Sequence, residues 1–509
     1  MLVFKYSNRL KAKIIYAGVE AKSEFDRLRD QFKCDNPAAR FSQWGSSPWY
    51  YVISSLGTFN IGLLDDLLAK CESMGISYTV DEKLLEEARP GFNFDEILPV
   101  PNEKYEYRDY QLQLIQSLVK NGRGVIVSPT RSGKSLVIAG LIRNVFAHAK
   151  ELRIQNVLIL VPNIQLVYQF ENDLNEYGLG DMCNIQSFTA GTMNKKDSAV
   201  RIDILNVYIA NLQYILLHGN ELPEIDLLFM DEVHTGKKGN QISKLVGSMP
   251  ICHKFGCTGT LPESQIDKWN IIGQFGRVVD EVEIQSLQQK KYLADVKIYP
   301  VKFIHDRKIN FRSASLQENI DDGISDPLEV AKRAFSREKI YLDNLHETNK
   351  VSMEIVKRIM SAHPDWNTLV LFDYIEQGKN LFDILDWSDK FYVDGSIDVK
   401  ERLSAVGKMD KQGGSVLVAQ TKTFSTGITI SRLNAIFLLN AGKSATKIIQ
   451  SIGRGLRRQN KEAIVVFDIF HSYPYSEKHF DNRTKLYHDF YGLNLGSDYS
   501  VKTIKGKIQ

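Results

Sequence analysis

The sequence is poor in cysteine, in net charge and in long apolar runs, and each shortage removes a class of protein. Its five cysteines, Cys34, Cys71, Cys183, Cys252 and Cys257, are odd in number and form no C-x-x-C pair. A disulfide framework and a zinc site are therefore not expected, and the usage fits a reducing, cytoplasmic compartment. No stretch approaches the roughly 18 uninterrupted apolar residues of a membrane span, and the N-terminus lacks the apolar core of a secretory signal, so no membrane partner is expected. The 64 Lys and Arg are nearly cancelled by 61 Asp and Glu, leaving a net charge of +3. That balance favours no chain-wide electrostatic partner, so a basic footprint would have to be local. The first 40 residues carry Lys5, Arg9, Lys11, Lys13, Lys22, Arg27, Arg29, Lys33 and Arg40. Two readings stand for them, a patch for phosphates and an ordinary solvated face.

What is present is material for several cores. With 509 residues and 43% apolar content, the chain suggests three domains at about 100 to 200 residues each. From residue 100 onward, short β-branched runs alternate with amphipathic stretches, the pattern of parallel α/β layers. A first series comprises GVIVS (124–128), NVLILV (156–161), VYIA (207–210), IDLLFM (225–230) and KFGCTG (254–259). A second comprises NTLVLF (367–372), KFYVD (390–394), SVLVAQ (415–420), AIFLLN (435–440) and AIVVFD (463–468), with a helix expected over 375–385. The expected division is an α+β domain over 1–95, an α/β lobe over 96–300 and a second α/β lobe with a C-terminal tail over 301–509. Phe41, Trp44, Trp49, Tyr50 and Tyr51 crowd the first domain. Aromatics in so small a domain more often form its core; the alternative is a platform on which exposed bases stack. The lysines of the tail, Lys502, Lys505 and Lys507, read equally as a duplex contact and as a loose end.

Three motifs carry chemistry. SPTRSGKS (128–135) fits G-x-x-x-x-G-K-[ST] except that Ser128 replaces the first Gly. Backbone N–H groups of such a loop, from Thr130, Arg131, Ser132 and Gly133, cradle phosphates at a helix N-terminus. Lys134 would then reach the β- and γ-phosphates and Ser135 would ligate Mg²⁺, which makes ATP and Mg²⁺ the expected cofactors. DEVH (231–234) follows an apolar run, as a Walker B strand end should: Asp231 would hold Mg²⁺ and Glu232 would orient or deprotonate the attacking water, beside His234. QSIGRGLRR (450–458) matches Q-x-x-G-R-x-x-R with Gln450, Arg454 and Arg457 in place. An arginine brought by another lobe stabilises charge on a transferring phosphoryl group.

In this order and spacing the motifs resemble those of superfamily 2 helicases of the DExH type, over roughly residues 105–470. That resemblance implies two tandem RecA-like lobes behind the α+β domain. It also implies further assignments. YRDYQ (107–111) resembles the adenine-recognising Q motif, giving Arg108 and Gln111. VPNIQLVYQ (161–169) and ANLQ (210–213) resemble the strand-gripping motifs, giving Pro162, Asn163, Gln169, Asn211 and Gln213, with Asn where Thr is usual. CTGTL (257–261) resembles motif III, giving Thr258 and Thr260 as the couplers of ATP site and nucleic-acid groove. LVLFDY (369–374) resembles motif IV, VDGSIDVKER (393–402) the segment with Gly395 and a later Arg, and TKTFSTGITI (421–430) motif V, which gives Phe372, Arg402 and Thr426 as nucleic-acid contacts and Gly427 as a nucleotide contact.

The chain further resembles the UvsW-type helicases of tailed bacteriophages, which share an aromatic-rich N-terminal domain, K-F-G-x-[ST]-G and F-S-T-G-I. It implies a monomeric or weakly associating ATPase of the host cytoplasm that unwinds 3′–5′ and branch-migrates forked and four-way DNA in recombination, replication or repair, possible partners being proteins of those processes. Three rivals remain: an RNA helicase, a DNA translocase subunit acting with a partner nuclease, and a binding scaffold with a degenerate ATP site. Contacts to a 2′-OH, which no motif reveals, decide the first. For the second, no nuclease motif appears outside the core. Intact Lys134, Asp231, Glu232, Arg454 and Arg457 oppose the third.

Overall fold

The computed structural model describes the chain apart from residues 37–46, 190–203, 220–221, 307–308, 323–326, 425–429, 431, 443, 454, 457–460 and 506–509, and apart from the side chains of 319, 320, 328, 399, 400, 403, 445–447 and 450. By contacts the chain separates into one unit of Met1–Pro129 with Gly133–Val282 and another of Thr130–Ser132 with Glu283–Gln509. Among the described residues no helix is long and apolar enough to cross a membrane.

The N-terminal region is a mixed four-stranded sheet in the order Thr58–Asn60, Lys11–Ile15, Leu2–Tyr6, Tyr78–Val80. Only the last pair is parallel. Strand alternation sorts its residues: Ala12 and Ile14 point into the core while Lys11 and Lys13 point out. Phe4, Phe25, Phe59, Leu63 and Leu67 fill the core against helices Val19–Gln31 and Leu64–Met74. The aromatics near residue 50 do not. Trp49, Tyr50 and Tyr51 form a two-stranded antiparallel sheet with Lys33–Asp35. Trp49 is 41% exposed. Each ring is covered by a cation: Lys33 over Trp49 at 5.1 Å, Arg29 over Tyr51 at 3.7 Å and Lys238 over Tyr50 at 4.7 Å. The core reading of these three aromatics is therefore corrected, because the sheet already supplies enough aliphatic and Phe surface to close the core. Phe41 and Trp44 lie outside the described residues.

This region seats on the first lobe without a spacer. A Cβ at Gly62 would fall 2.3 Å from the carbonyl oxygen of Ile272, so glycine is what lets the backbone meet helix Gln265–Phe275. Phe32 packs on Trp269 of the same helix at 5.5 Å.

The first lobe is a seven-stranded, wholly parallel sheet in the order Val278–Glu281, Gly124–Val127, His253–Thr258, Leu227–Asp231, Asn156–Val161, Asn206–Asn211, Asn184–Phe188. Its five inner strands are those expected from apolar runs. The two outer ones, NIQSF and VVDE, are partly exposed along their length, and edge positions do not require a continuous apolar run.

The second lobe repeats the plan, in the order Lys390–Val393, Val416–Gln420, Thr368–Phe372, Ala435–Leu439, Ala463–His471, Asp295–Ile304, Lys502–Lys505. The strand Asp295–Ile304 pairs with Ala463–His471 along its length, so the boundary expected at 300/301 falls inside a strand of the second lobe. Its N-terminal half alternates, Val296 and Ile298 inward and Lys297 and Tyr299 outward, and lacks the solid apolar run that marks the central strands. Lys502–Lys505 is the edge strand beside it, so this stretch of the tail is paired rather than loose; Lys507 lies outside the described residues.

Candidate nucleotide site

The ATP-site motifs of the first lobe sit at the carboxyl ends of three adjacent strands, where open α/β sheets bind ligands. Strand Gly124–Val127 ends at Ser128, whose backbone N–H donates to the Thr258 carbonyl at 2.8 Å. Ser128 is absent from the residues with positive φ, so the position does not demand the glycine of the usual pattern. Two later residues of the loop do adopt left-handed geometry, Arg131 at φ 73 and Gly133 at φ 81. Gly133 begins helix Lys134–Ala147. A Cβ there would lie 2.4 Å from Gln111 Nε2, so the Gln111 amide rests directly on the loop. Gln111 is held there by accepting the Arg108 backbone N–H at 3.0 Å, in the first turn of helix Asp109–Asn121. Starting a helix and facing the P-loop are thus one arrangement. Gln111 is 4% exposed, whereas Arg108 is exposed and bonds Tyr110 Oη at 3.4 Å.

Lys134 Nζ donates to the Ser128 carbonyl at 3.2 Å, closing the loop upon itself. Ser135 Oγ lies 3.2 Å from Tyr177 Oη. Asp231 ends the buried strand Leu227–Asp231, is 6% exposed, and its Oδ1 has no hydrogen-bond partner. Burial first, and the Glu232 charge second, push its carboxyl up to about 6 against the opposing pull of Lys134. An orphaned buried carboxylate oxygen near a lysine and a helix N-terminus fits Mg²⁺, which binds through one or two carboxylates and substrate phosphates.

Glu232 turns the chain in left-handed geometry at φ 53. His234 Nδ1 lies 3.1 Å from Glu232 Oε2 and 2.9 Å from Thr258 Oγ1. The Thr258 hydroxyl donates its only proton to the Thr260 carbonyl at 2.8 Å, so it accepts from His234. The imidazole proton therefore sits on Nδ1, facing Glu232 and Thr258 together.

The remaining sequence-derived residues divide. Asn163 caps helix Ile164–Glu176 by accepting the Leu166 N–H at 3.0 Å, with Pro162 and Gln169 half-buried beside it. Asn211 is 2% exposed with Oδ1 unpartnered, and Gln213 is exposed on the next helix. Thr260 is half-buried. Thr258 and Phe372 are corrected as nucleic-acid contacts. Both are 0% exposed: Thr258 is tied up with His234 and Thr260, and Phe372 stacks on Tyr392 in the second lobe's core. Arg402 Nη2 reaches the Gly395 carbonyl at 3.0 Å and its Nε the Ile397 carbonyl at 2.7 Å, so the two motif residues bind each other. Thr426, Gly427, Arg454, Arg457 and the Gln450 side chain lie outside what is described. Motif reading missed Tyr177, which follows a helix in no recognised pattern. It also missed the buried Lys339, bonded to Asp343 at 2.9 Å and Asp373 at 3.0 Å.

Comparison with known proteins agrees with this geometry. The family profile for the Res subunit of type III restriction enzymes matches residues 104–263, and that for the helicase conserved C-terminal domain matches 351–459. The chain is 25% identical to the ATP-dependent DNA helicase uvsW of enterobacteria phage T4 over 94% of its length and 93% of that protein. It is 24% identical to the DNA 3′-5′ translocase XPB2 of Sulfurisphaera tokodaii over 74% of this chain and 84% of that one. Among solved structures, S. cerevisiae Dbp5 bound to RNA and ADP BeF3 shares the fold, with TM-score 0.52 and 13% identity over 81% of this chain and 95% of that chain. Two helicase domains in tandem, with a P-loop and a D-E-x-H strand end meeting at one sheet edge, identify the chain as a member of the ATP-dependent helicases of superfamily 2.

Proposed function

We propose that the protein is an ATP-driven DNA motor that unwinds with 3′–5′ polarity and remodels forked and four-way junctions. The observation that carries this reading is the likeness to the T4 DNA helicase, which runs over 94% of the chain and so takes in the N-terminal region as well as the motor. The 3′-5′ directionality in the name of the Sulfurisphaera tokodaii relative supports the polarity.

In this reading the P-loop residues Thr130, Arg131, Ser132, Gly133 and Lys134 bind the ATP phosphates, and Arg108 and Gln111 the base. Ser135 and Asp231 would hold Mg²⁺, which supplies charge neutralisation at the β- and γ-phosphates. Glu232 takes or orients the proton of the attacking water, and His234 keeps its carboxylate aimed. Arg454 and Arg457 stabilise charge on the transferring phosphoryl group, with Gln450 and Gly427 completing the nucleotide set. Pro162, Asn163, Gln169, Asn211, Gln213, Thr260, Arg402 and Thr426 grip the strand backbone, so binding is salt-sensitive and nearly sequence-independent. Trp49, exposed beside Lys33, stacks on bases where the junction opens.

The test is ATP-dependent dissociation of a synthetic four-way DNA junction, beside duplexes tailed at the 3′ or 5′ end and an RNA counterpart. Dissociation by wild type, its loss in Lys134→Ala, and a junction-selective decline in Trp49→Ala are expected. Equal activity on RNA, or DNA-stimulated ATPase without any strand separation, would refute the reading in favour of an RNA helicase or a partner-dependent translocase.

A further inference from the structure

A hydroxyl that ligates a cation must present a lone pair to the metal and send its proton elsewhere. For Ser135 the structure supplies that destination. Tyr177 Oη lies 3.2 Å from Ser135 Oγ, and either oxygen can serve as donor in the pair. The phenol is held on several sides. Its backbone N–H donates to the Asp173 carbonyl at 2.9 Å, its carbonyl accepts from Asn102 at 3.2 Å, and its ring meets the edge of Tyr105 at 5.0 Å and 80°.

Tyr177 also ends a lever. It terminates helix Ile164–Glu176, whose opposite end is capped by Asn163. Thirteen helical residues make a rod of about 20 Å. A shift of the Asn163 end therefore moves the oxygen against which Ser135 is set.

We propose that Tyr177 is a positioning residue for the metal-binding hydroxyl: it accepts the Ser135 proton and aims the Ser135 lone pair into the phosphate loop, and through its helix it ties that aim to the strand-gripping end of the lobe. The inference rests on the ATP-site reading above. It assigns Tyr177 no contact with nucleotide.

The experiment is titration of wild-type, Tyr177→Phe, Ser135→Ala and double-variant protein with fluorescent mant-ADP, in Mg²⁺ and in EDTA. The phenyl ring keeps the packing and removes only the hydroxyl. Tyr177→Phe is expected to keep the affinity in EDTA and to lose about threefold to tenfold of the Mg²⁺-dependent gain, the range for one neutral hydrogen bond. In the Ser135→Ala background it should add nothing, as for two residues acting through one contact. Tyr105→Phe, which removes a neighbouring hydroxyl, should leave the Mg²⁺ gain unchanged. An unaltered Mg²⁺ gain in Tyr177→Phe, an equal loss in EDTA, or additivity with Ser135→Ala overturns the inference alone. Failure of wild type to bind mant-ADP at all overturns the ATP-site reading and this inference with it.

Discussion

Arg483 is the largest fully buried side chain of the described residues, and removing it should loosen the strand that leads out of the second lobe's core. It sits in helix Pro474–Tyr491 and forks onto Asp468 of strand Ala463–His471, Nε to Oδ2 and Nη2 to Oδ1, both at 2.8 Å. Tyr487 Oη donates to the same carboxylate at 2.7 Å, and Arg483 Nη1 donates to the Ala441 carbonyl. Arg483→Met keeps the apolar stem and strips Asp468 of its counter-charge in a site closed to water. Breaking a buried pair from one side costs about 3–5 kcal/mol, because the surviving charge has lost its compensation. At about 1.4 kcal/mol per factor of ten, amide protection in Ala463–His471 should fall by roughly two to three and a half powers of ten. Hydrogen exchange with mass-spectrometric readout measures it directly. Replacing both partners, Arg483→Met with Asp468→Leu, should recover most of the loss, since no buried charge then remains. Protection within threefold of wild type in the single variant would refute the argument, and with it the view that this pair locks helix to sheet.

Three further outcomes follow from the first lobe. Asp231→Asn should abolish Mg²⁺-dependent ATPase yet raise the melting temperature of the nucleotide-free protein at pH 7.5. The native carboxyl is raised to about 6 from an ordinary value of 3.8, so its cost to folding appears as pH climbs through that window and is complete above it; an unchanged or lowered melting temperature would contradict this. Thr258→Val removes the acceptor that seats His234 at 2.9 Å, and steady-state kinetics should show ATPase turnover down about 10- to 100-fold with nucleotide affinity intact. Lys254, buried with Nζ on the Val246 carbonyl at 3.0 Å, has its ammonium pushed down to about 7 from 10.5 by burial. The unfolded chain then holds the proton more tightly, so this residue costs most below pH 7 and least near pH 10.5. Lys254→Met should therefore raise the melting temperature most at pH 6 and progressively less toward pH 10, and a gain independent of pH would rule the burial argument out.

The central strands were legible because burial on both faces forces a continuous apolar run, as in NVLILV, which is buried at every position. NIQSF, at the edge of the first sheet, and Asp295–Ile304, next to the edge strand of the second, were not, since they meet half-exposed environments that tolerate polar residues. Lys134, Asp231 and Glu232 could be nominated from the sequence because phosphate and metal chemistry restricts residue type and spacing, and the structure sets them at the carboxyl ends of strands in one sheet. Tyr177 was not, because nothing local marks a tyrosine after a helix as the neighbour of a serine 42 positions earlier. Phe372 misled for a related reason: an aromatic closing a strand at a motif is equally suited to stack on a base and to fill the space over Gly378, where a Cβ would lie 2.3 Å from its ring. Trp49 misled in the opposite direction, since composition alone does not say which aromatics a small core has room for.

The register of the first lobe's sheet explains why so few local signals suffice there. Strand His253–Thr258 lies between Gly124–Val127 and Leu227–Asp231, pairing Cys257 with Asp231 on one side and Thr258 with Val127 on the other. Because all three strands run parallel, their carboxyl ends share one edge, and residues far apart in sequence become neighbours through backbone hydrogen bonding alone. Side chains alternate faces along a strand, so a slip of one residue in Leu227–Asp231 would present Met230 in place of Asp231 and bury a carboxylate among apolar neighbours. The apolar runs before each motif are thus part of the site. By filling the core with Phe229, Met230 and Phe255 they make every other register costly, and the register sets Asp231 beside the P-loop and holds His234 within reach of Thr258.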